Sequence, residues 1–333
     1  MMKILIATSD KKAGGIERAL IDQLALLGGN DAYDLSLLSP DSSASAYAKK
    51  HLKLSSLRRF AYRTLPAFSA LGMKHNYDIA LCHNGFMAQG LGRLANYVIG
   101  ICHNDKPHHF NGCDRLVCLT KEGLAKAQKA GWAAEKLTLI PHFHNAPKGL
   151  KIPKPQSPLT IGAAGRMVEK KNLSLFIEIA ALVKQTHPDI RFALGGDGPL
   201  RERLRALNHH YGNPVEMRGW IDFPAFLKEL DVMIVPSSDE PFGFIFPEAM
   251  AEGVAVIATP TNGASHCLND GTVGPILPSD KPEAFAKEIC ALADDLPLLH
   301  KRQKTAYDYV GTALFDRDKA RQKWDALLSN YKC

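Results

Sequence analysis

Short apolar runs alternate with stretches of helical periodicity from one end of the chain to the other. In the first half the runs Lys3–Thr8, Asp34–Ser39, Ile79–His83, Val98–His103, Arg115–Thr120 and Leu137–Pro141 predict strands, and Arg18–Leu27 predicts a helix. In the second half the strands are Leu159–Ala164, Arg191–Gly195, Val215–Arg218, Val232–Val235 and Ala255–Ala258, with Pro275–Leu277 a weaker sixth. The helical stretches there are Leu173–Gln185, Leu200–His209, Phe223–Leu230, Pro282–Asp294, Leu298–Val310 and Asp316–Tyr331. Near-continuous apolar strands alternating with helices imply parallel sheets covered on both faces, an α/β architecture.

The alternation breaks once, at Pro147, Lys148, Gly149, Lys151, Pro153, Lys154, Pro155 and Pro158. A segment this rich in proline and charge holds no regular structure and reads as a linker. The expected layout is a domain over 1–147, a linker over 148–158 and a second domain over 159–310, each a Rossmann-like, doubly wound sheet. Self-similarity at a period of 20–50 residues is absent from the sequence, which excludes a solenoid.

Composition narrows the class. With 333 residues, 46% of them hydrophobic and 23% charged, the chain can fill two cores. It holds no apolar run of the ~18 residues that a membrane-spanning helix needs. The first strand is too short to be a signal peptide. Seven cysteines form no Cys-x-x-Cys pair, and most sit inside apolar runs, so buried thiols in a reducing cytoplasm are expected. The net charge of +7 is concentrated at Lys49–Arg63, where basic residues interleave with Leu52, Leu54, Leu57, Phe60 and Tyr62. Two readings are open there: a contact with anionic lipid, or a solvated helical face. No nucleic-acid motif accompanies the charge.

The chemistry gathers in the second half. Glu240-Pro-Phe-Gly-Phe-Ile-Phe-Pro-Glu248 sets two carboxylates on one strand-to-helix corner, after the strand Val232–Val235. Such a pair can grip sugar or ribose hydroxyls, and the helix start favours both a carboxylate and an anionic ligand. Gly165-Arg166 and Lys171 follow the strand Leu159–Ala164, where an open α/β sheet binds ligands. An arginine fork and a lysine point charge suit a diphosphate, although each alone reads as a surface cation. Gly195-Gly196-Asp197-Gly198-Pro199 is a tight turn with proline expected at the first helical position. Arg218-Gly219-Trp220-Ile221 places an aromatic near the same strand ends, as a nucleobase cover or as core. In the first half Gly14-Gly15-Ile16-Glu17 lets backbone approach a ligand, but no Gly-x-Gly-x-x-Gly is present, which removes the main support for a nicotinamide cofactor. His103, Asp105, His108 and His109 fit no metal signature by spacing, and Asp316-x-Asp318 reads as a helix cap.

Taken in order, Gly165-Arg166…Lys171, Gly195–Pro199, Arg218-Gly219-Trp220, Pro236-Ser237 and Glu240…Glu248 resemble the donor domain of retaining glycosyltransferases of family 4, within glycosyl transferases group 1. Gly14–Glu17 and the run Cys113–Thr120, ending at Ile140-Pro141, resemble the acceptor domain of that family. The resemblance implies a GT-B fold, two Rossmann-like domains facing each other across a cleft, with the terminal segment 311–333 packed back on the first domain. It implies that Arg166 and Lys171 hold the donor diphosphate, that Glu248 holds the ribose and that Glu240 holds the donor sugar. Phe242, Gly243 and Phe244 would lie along sugar or phosphate, Gly196 would belong to the donor site, and Arg218, Trp220 and Ile221 would lie toward the base. Gly15 would approach the donor from the other domain, and His103 would match the family histidine near the reacting carbon.

The expected function is metal-independent, retaining transfer from a UDP- or GDP-sugar to a cell-envelope glycan or glycolipid acceptor, in the cytoplasm, peripheral to the membrane, with no cofactor. The alternatives are a sugar-nucleotide epimerase on the same fold and a catalytically silent nucleotide-sugar-binding protein. Two departures stand out. Asn262-Gly263-Ala264-Ser265-His266 replaces a Gly-Gly and a glutamate, and His142-Phe143-His144 replaces an asparagine.

Overall fold

The computed structural model describes residues 1–9, 15–39, 46, 50, 56–59, 76–144, 149–311 and 315–331. The chain divides into two compact units, one of Met1–Phe143 with Arg317–Cys333, the other of His144–Asp316. Each is an α/β domain built on a wholly parallel sheet.

In the N-terminal unit the strands are β1 (Met2–Ala7), β2 (Tyr33–Ser39), β3 (Ser56–Arg59), β4 (Tyr77–Cys82), β5 (Ala95–Cys102), β6 (Arg115–Cys118) and β7 (Leu137–Leu139). Their order is β3-β2-β1-β4-β5-β6-β7. Ile4, Ile6, Ile79, Leu81 and Ile99 are wholly buried, as expected for strands covered on both faces. The helix Gly15–Leu27 turns Glu17, Ala19, Leu20, Gln23, Leu24, Leu26 and Leu27 inward, a helical spacing interrupted by one carboxylate and one amide. The terminal helix Arg317–Ser329 is tied to this unit by Tyr33 Oη donating to Asp325 (2.6 Å) and Arg317 donating to the Ala25 carbonyl (3.1 Å).

One element differs in kind from the sequence reading. Ser56–Arg59, inside the basic stretch, is an edge strand paired in parallel with β2, from Ser36–Ser56 to Ser39–Arg59. The exposed edge of β2 supplied a hydrogen-bonding partner that composition does not reveal. The rest of Lys49–Arg63, apart from an exposed Lys50, lies outside the described residues, and with it the lipid reading.

In the C-terminal unit β8 (Thr160–Ala164), β9 (Arg191–Gly195), β10 (Glu216–Gly219), β11 (Val232–Val235) and β12 (Ala255–Ala258) run in the order β10-β9-β8-β11-β12. Pro275–Leu277 is reduced to one bridge, Ala258 to Ile276. The core is Phe176, Phe192, Phe285, Ile161, Ile234 and Ile257 with their neighbours. Pro199 does not open its helix: Leu200 is the cap of Arg201–His210, because Gly198 (φ +157°) and the Met167 carbonyl accepting from Leu200 N (3.1 Å) hold the turn open two residues longer. Residues 149–158 carry no helix or strand. Among the described residues no helix is long and apolar enough to cross a membrane.

Candidate active site

In both sheets the chain reverses its winding direction once, between β1 and β4 and between β8 and β11. The carboxyl ends flanking such a reversal are where open α/β sheets bind ligands, because the connecting loops part there. The sequence-singled residues of the C-terminal unit gather around this point.

Gly165 and Arg166 leave β8, and Glu240 lies five residues past the end of β11. Lys171 Nζ donates to Glu240 Oε2 at 2.5 Å, joining the two sides of the switch point. Their side chains are 20% and 13% exposed. The backbone beneath is fastened as well: Ser238 N donates to the Lys170 carbonyl (2.9 Å), and Gly263 N to the Glu240 carbonyl (2.7 Å). Arg166 is exposed and makes no ion pair among the described residues. One cation is therefore committed and one is open to an anion.

Glycine is required at two points of this framework. Gly196 sits at φ +121°, and a Cβ there would lie 2.0 Å from the Gly165 carbonyl oxygen, so the two loops touch through bare backbone. Gly243 sits at φ +75°, where a Cβ would crowd Glu240 Cγ and the Phe246 ring at 2.7 Å. That turn runs into the helix Ile245–Ala251, which carries Glu248 in its first turn, with Glu248 N donating to the Phe244 carbonyl at 3.0 Å. Phe242 is buried, its ring 5.5 Å from Phe244 and 5.8 Å from His266, and its carbonyl accepts from Cys267 Sγ at 3.4 Å. Burial and the Glu240 charge push the Cys267 thiol well up, so it stays protonated.

The Arg218–Ile221 segment splits three ways. Trp220 is 80% exposed, which removes the core alternative. Ile221 packs inward, its Cδ1 filling the space above Gly195. Arg218 turns away from the cluster. Its guanidinium donates to Glu229 (2.6 Å) and Glu216 (3.1 Å) and lines a separate cavity with Thr160 and Arg191, the residues that open β8 and β9. Strand alternation decides this: β10 has a bulge between Met217 and Gly219, which re-aims residue 218.

Gly15 and His103 belong to the N-terminal unit. Gly15 is exposed at the start of its helix. His103 follows β5 directly, stacked with His83 (centroids 5.1 Å) and with His142 (5.3 Å). His103 Nε2 meets His83 Nδ1 at 3.0 Å, and His83 Nε2 meets Gln23 Oε1 at 2.7 Å. Burial lowers the His103 pKa from 6.5 to about 3 and drives His83 well below the usual range, with His103 and His142 adding to the shift at His83. His83 and Gln23 were not read as site residues, although a glutamine on the apolar face of a helix is a visible signal. Asp105 pairs with Lys126 at 3.3 Å. No group of three His, Cys, Asp or Glu side chains able to hold a metal ion occurs among the described residues.

Residues 158–295, which hold this cluster, match the family "Glycosyl transferases group 1". That match lies within the C-terminal unit. Over 230 residues the chain is 29% identical to the lipopolysaccharide core biosynthesis glycosyltransferase LpsE of Rhizobium meliloti, covering 67% of this chain and 66% of that protein. Over 221 residues it is 27% identical to the putative colanic acid biosynthesis glycosyltransferase WcaL of Escherichia coli, covering 60% and 54%. The chain thus spans roughly half to two thirds of the length of these relatives. Its fold matches HepE of Anabaena, solved with UDP and glucose, with a TM-score of 0.82 at 19% identity over 99% of this chain and 100% of that one. The two parallel-sheet α/β units thus match the GT-B fold.

Proposed function

We propose that this protein is a retaining, metal-independent glycosyltransferase of family 4. It moves a sugar from a nucleotide-diphosphate sugar to a glycan or glycolipid acceptor of the cell envelope, at the cytoplasmic face of the membrane. The observation that carries this reading is the Lys171–Glu240 pair beside the open Arg166 at the switch point of the group 1 sheet. Lipopolysaccharide and colanic acid synthesis by the relatives supports the class of acceptor, and UDP with glucose in HepE supports the class of donor.

The chemistry follows from charge. As the glycosidic bond to phosphate lengthens, the sugar becomes oxocarbenium-like and the diphosphate gains negative charge. Arg166 and Lys171 stabilise that growing charge more than the ground state, which is what lowers a barrier. Glu240 exchanges its bond with Lys171 for hydroxyls of the donor sugar, and its carboxylate lies near the developing positive charge. Glu248 holds the ribose, and the turn at Phe242, Gly243 and Phe244 offers backbone amides. The leaving phosphate accepts the proton of the attacking hydroxyl on the same face, so configuration is kept. The roles of Gly15 and His103, on the N-terminal unit, rest on the family resemblance.

A thermal-shift panel of uridine, guanosine, adenosine and cytidine diphosphates tests the donor site. The matching nucleotide at ~100 times its dissociation constant stabilises the fold by about 2.7 kcal/mol. If none of the four raises the melting temperature, the donor-site reading fails. For a nucleotide that does bind, NMR of the transferred sugar then reads retention or inversion at the anomeric carbon.

A further inference from the structure

The N-terminal unit has its own switch point, between β1 and β4, and it carries a polar chain of which the donor-site reading uses only His103. His83 follows β4 at that point, its backbone N donating to the Ala7 carbonyl of β1 at 3.0 Å. It is 2% exposed, and Gln23 is 5% exposed. A buried polar group must find a partner, and here the partners form a series: Gln23 Oε1, then His83 Nε2; His83 Nδ1, then His103 Nε2.

Hydrogen-bond polarity runs one way along this series. An amide oxygen only accepts, so His83 carries its proton on Nε2 and donates to Gln23. A neutral imidazole has one N–H, which leaves His83 Nδ1 an acceptor. Burial keeps His83 neutral, so no second proton can occupy Nδ1. His103 must then donate from Nε2. Its own Nδ1 is left with a bare lone pair and has no hydrogen-bond partner among the described residues. His103 is half-buried, whereas His83 is closed off.

We propose that Gln23 and His83 are positioning residues that lock His103 in its Nε2–H tautomer, so that Nδ1 stands as a ready acceptor for a substrate hydroxyl. Only the final clause rests on the substrate role given to His103 above; the tautomer does not. Tautomers of histidine are set by the bond that the other ring nitrogen makes, and a relay of two buried groups sets this one more firmly than solvent would. The amide at position 23 is the origin of the polarity. Reversing or removing it redistributes the proton two residues away without touching His103.

Long-range ¹H–¹⁵N correlation spectra of the full chain, labelled at histidine nitrogens, read this directly. The spectrum missing from His103→Ala assigns His103. The expected result is a protonated Nε2 and an unprotonated, strongly deshielded Nδ1 in the unsubstituted protein at pH 7. Gln23→Met keeps the helix and its apolar contacts but loses the acceptor, and it should convert His103 to a tautomer mixture. A proton on His103 Nδ1 in the unsubstituted protein overturns the proposal, as does an unchanged His103 pattern in folded Gln23→Met. Neither result depends on nucleotide binding, so failure here is distinct from failure of the donor site.

Discussion

Lys171 and Glu240, 69 residues apart, close a 2.5 Å ion pair across the switch point of the C-terminal sheet. The sequence reading assigned one to phosphate and the other to sugar, and the structure finds each holding the other. The pair keeps a cation and an anion ready without leaving either uncompensated in a partly buried position. Such a bond is charge-assisted and contributes about 1.5–3 kcal/mol, a cost that donor contacts must offset. The expected consequence is that Glu240→Gln frees Lys171 for phosphate. Nucleoside diphosphate affinity, measured by calorimetry, should hold or rise, while transfer falls by about 10²–10³-fold, the usual effect of removing one preorganised electrostatic group. Asp316→Ala should leave transfer intact. The reverse ranking would refute the assignment of the site.

Gly196→Ala should distort the site through backbone alone. A left-handed φ of +121° and a carbonyl 2.0 Å from the new Cβ together demand that the Gly165-Arg166 turn move. Strain of this kind costs about 1–3 kcal/mol, and nucleotide binding should weaken with it. Gly212→Ala is the matched control, with φ +77° but nothing within 4 Å. It should cost only the left-handed penalty of roughly 1–2 kcal/mol and leave binding unchanged.

Arg218→Ala should leave nucleotide affinity unaltered, because its guanidinium is bound to Glu229 and Glu216 and lines a different cavity from the Lys171–Glu240 cluster. A loss of about 1 kcal/mol in stability is expected from partly exposed ion pairs of this type. Denaturant titration and calorimetry separate the two effects. Weakened binding at unchanged stability would return Arg218 to the base-facing role.

Acid should destabilise the N-terminal unit through His83 and His103. His103 titrates at about 3 in the folded chain and near 6.5 when unfolded, and His83 is shifted in the same direction. The unfolded chain therefore binds more protons than the folded one between these values. Stability is at its full value above pH 6.5 and declines as pH falls toward 3, by at most about 1.4 kcal/mol per pH unit for each histidine. His83→Phe should flatten that slope in thermal melts taken from pH 7 to 4. An equal slope in the variant would place the acid sensitivity elsewhere.

Much of the framework was legible in order. Eleven strands expected from apolar runs appear as strands within a few residues, since runs such as Val232–Val235 and Ala255–Ala258 have no stable place except a sheet buried on both faces. The edge strand Ser56–Arg59 was not legible, because its pairing is supplied by β2 rather than by its own composition. At the site, Glu240, Lys171 and Arg166 stood out by residue type and by position after a strand. The amide of Gln23 was visible only as an interruption in an apolar face.

The sequence by itself determined the elements and the chemistry on offer: strand alternation, the glycine turns at Gly196 and Gly243, and which side chains can carry charge. These are local properties, set by side-chain period and backbone sterics within a few residues. Tertiary structure alone decided the pairings. It joined Lys171 to Glu240, turned Arg218 away from them, and linked Gln23 through His83 to His103. Strand order and burial bring Gln23 to His83 across 60 residues and Lys171 to Glu240 across 69, within hydrogen-bond distance, which no local pattern encodes.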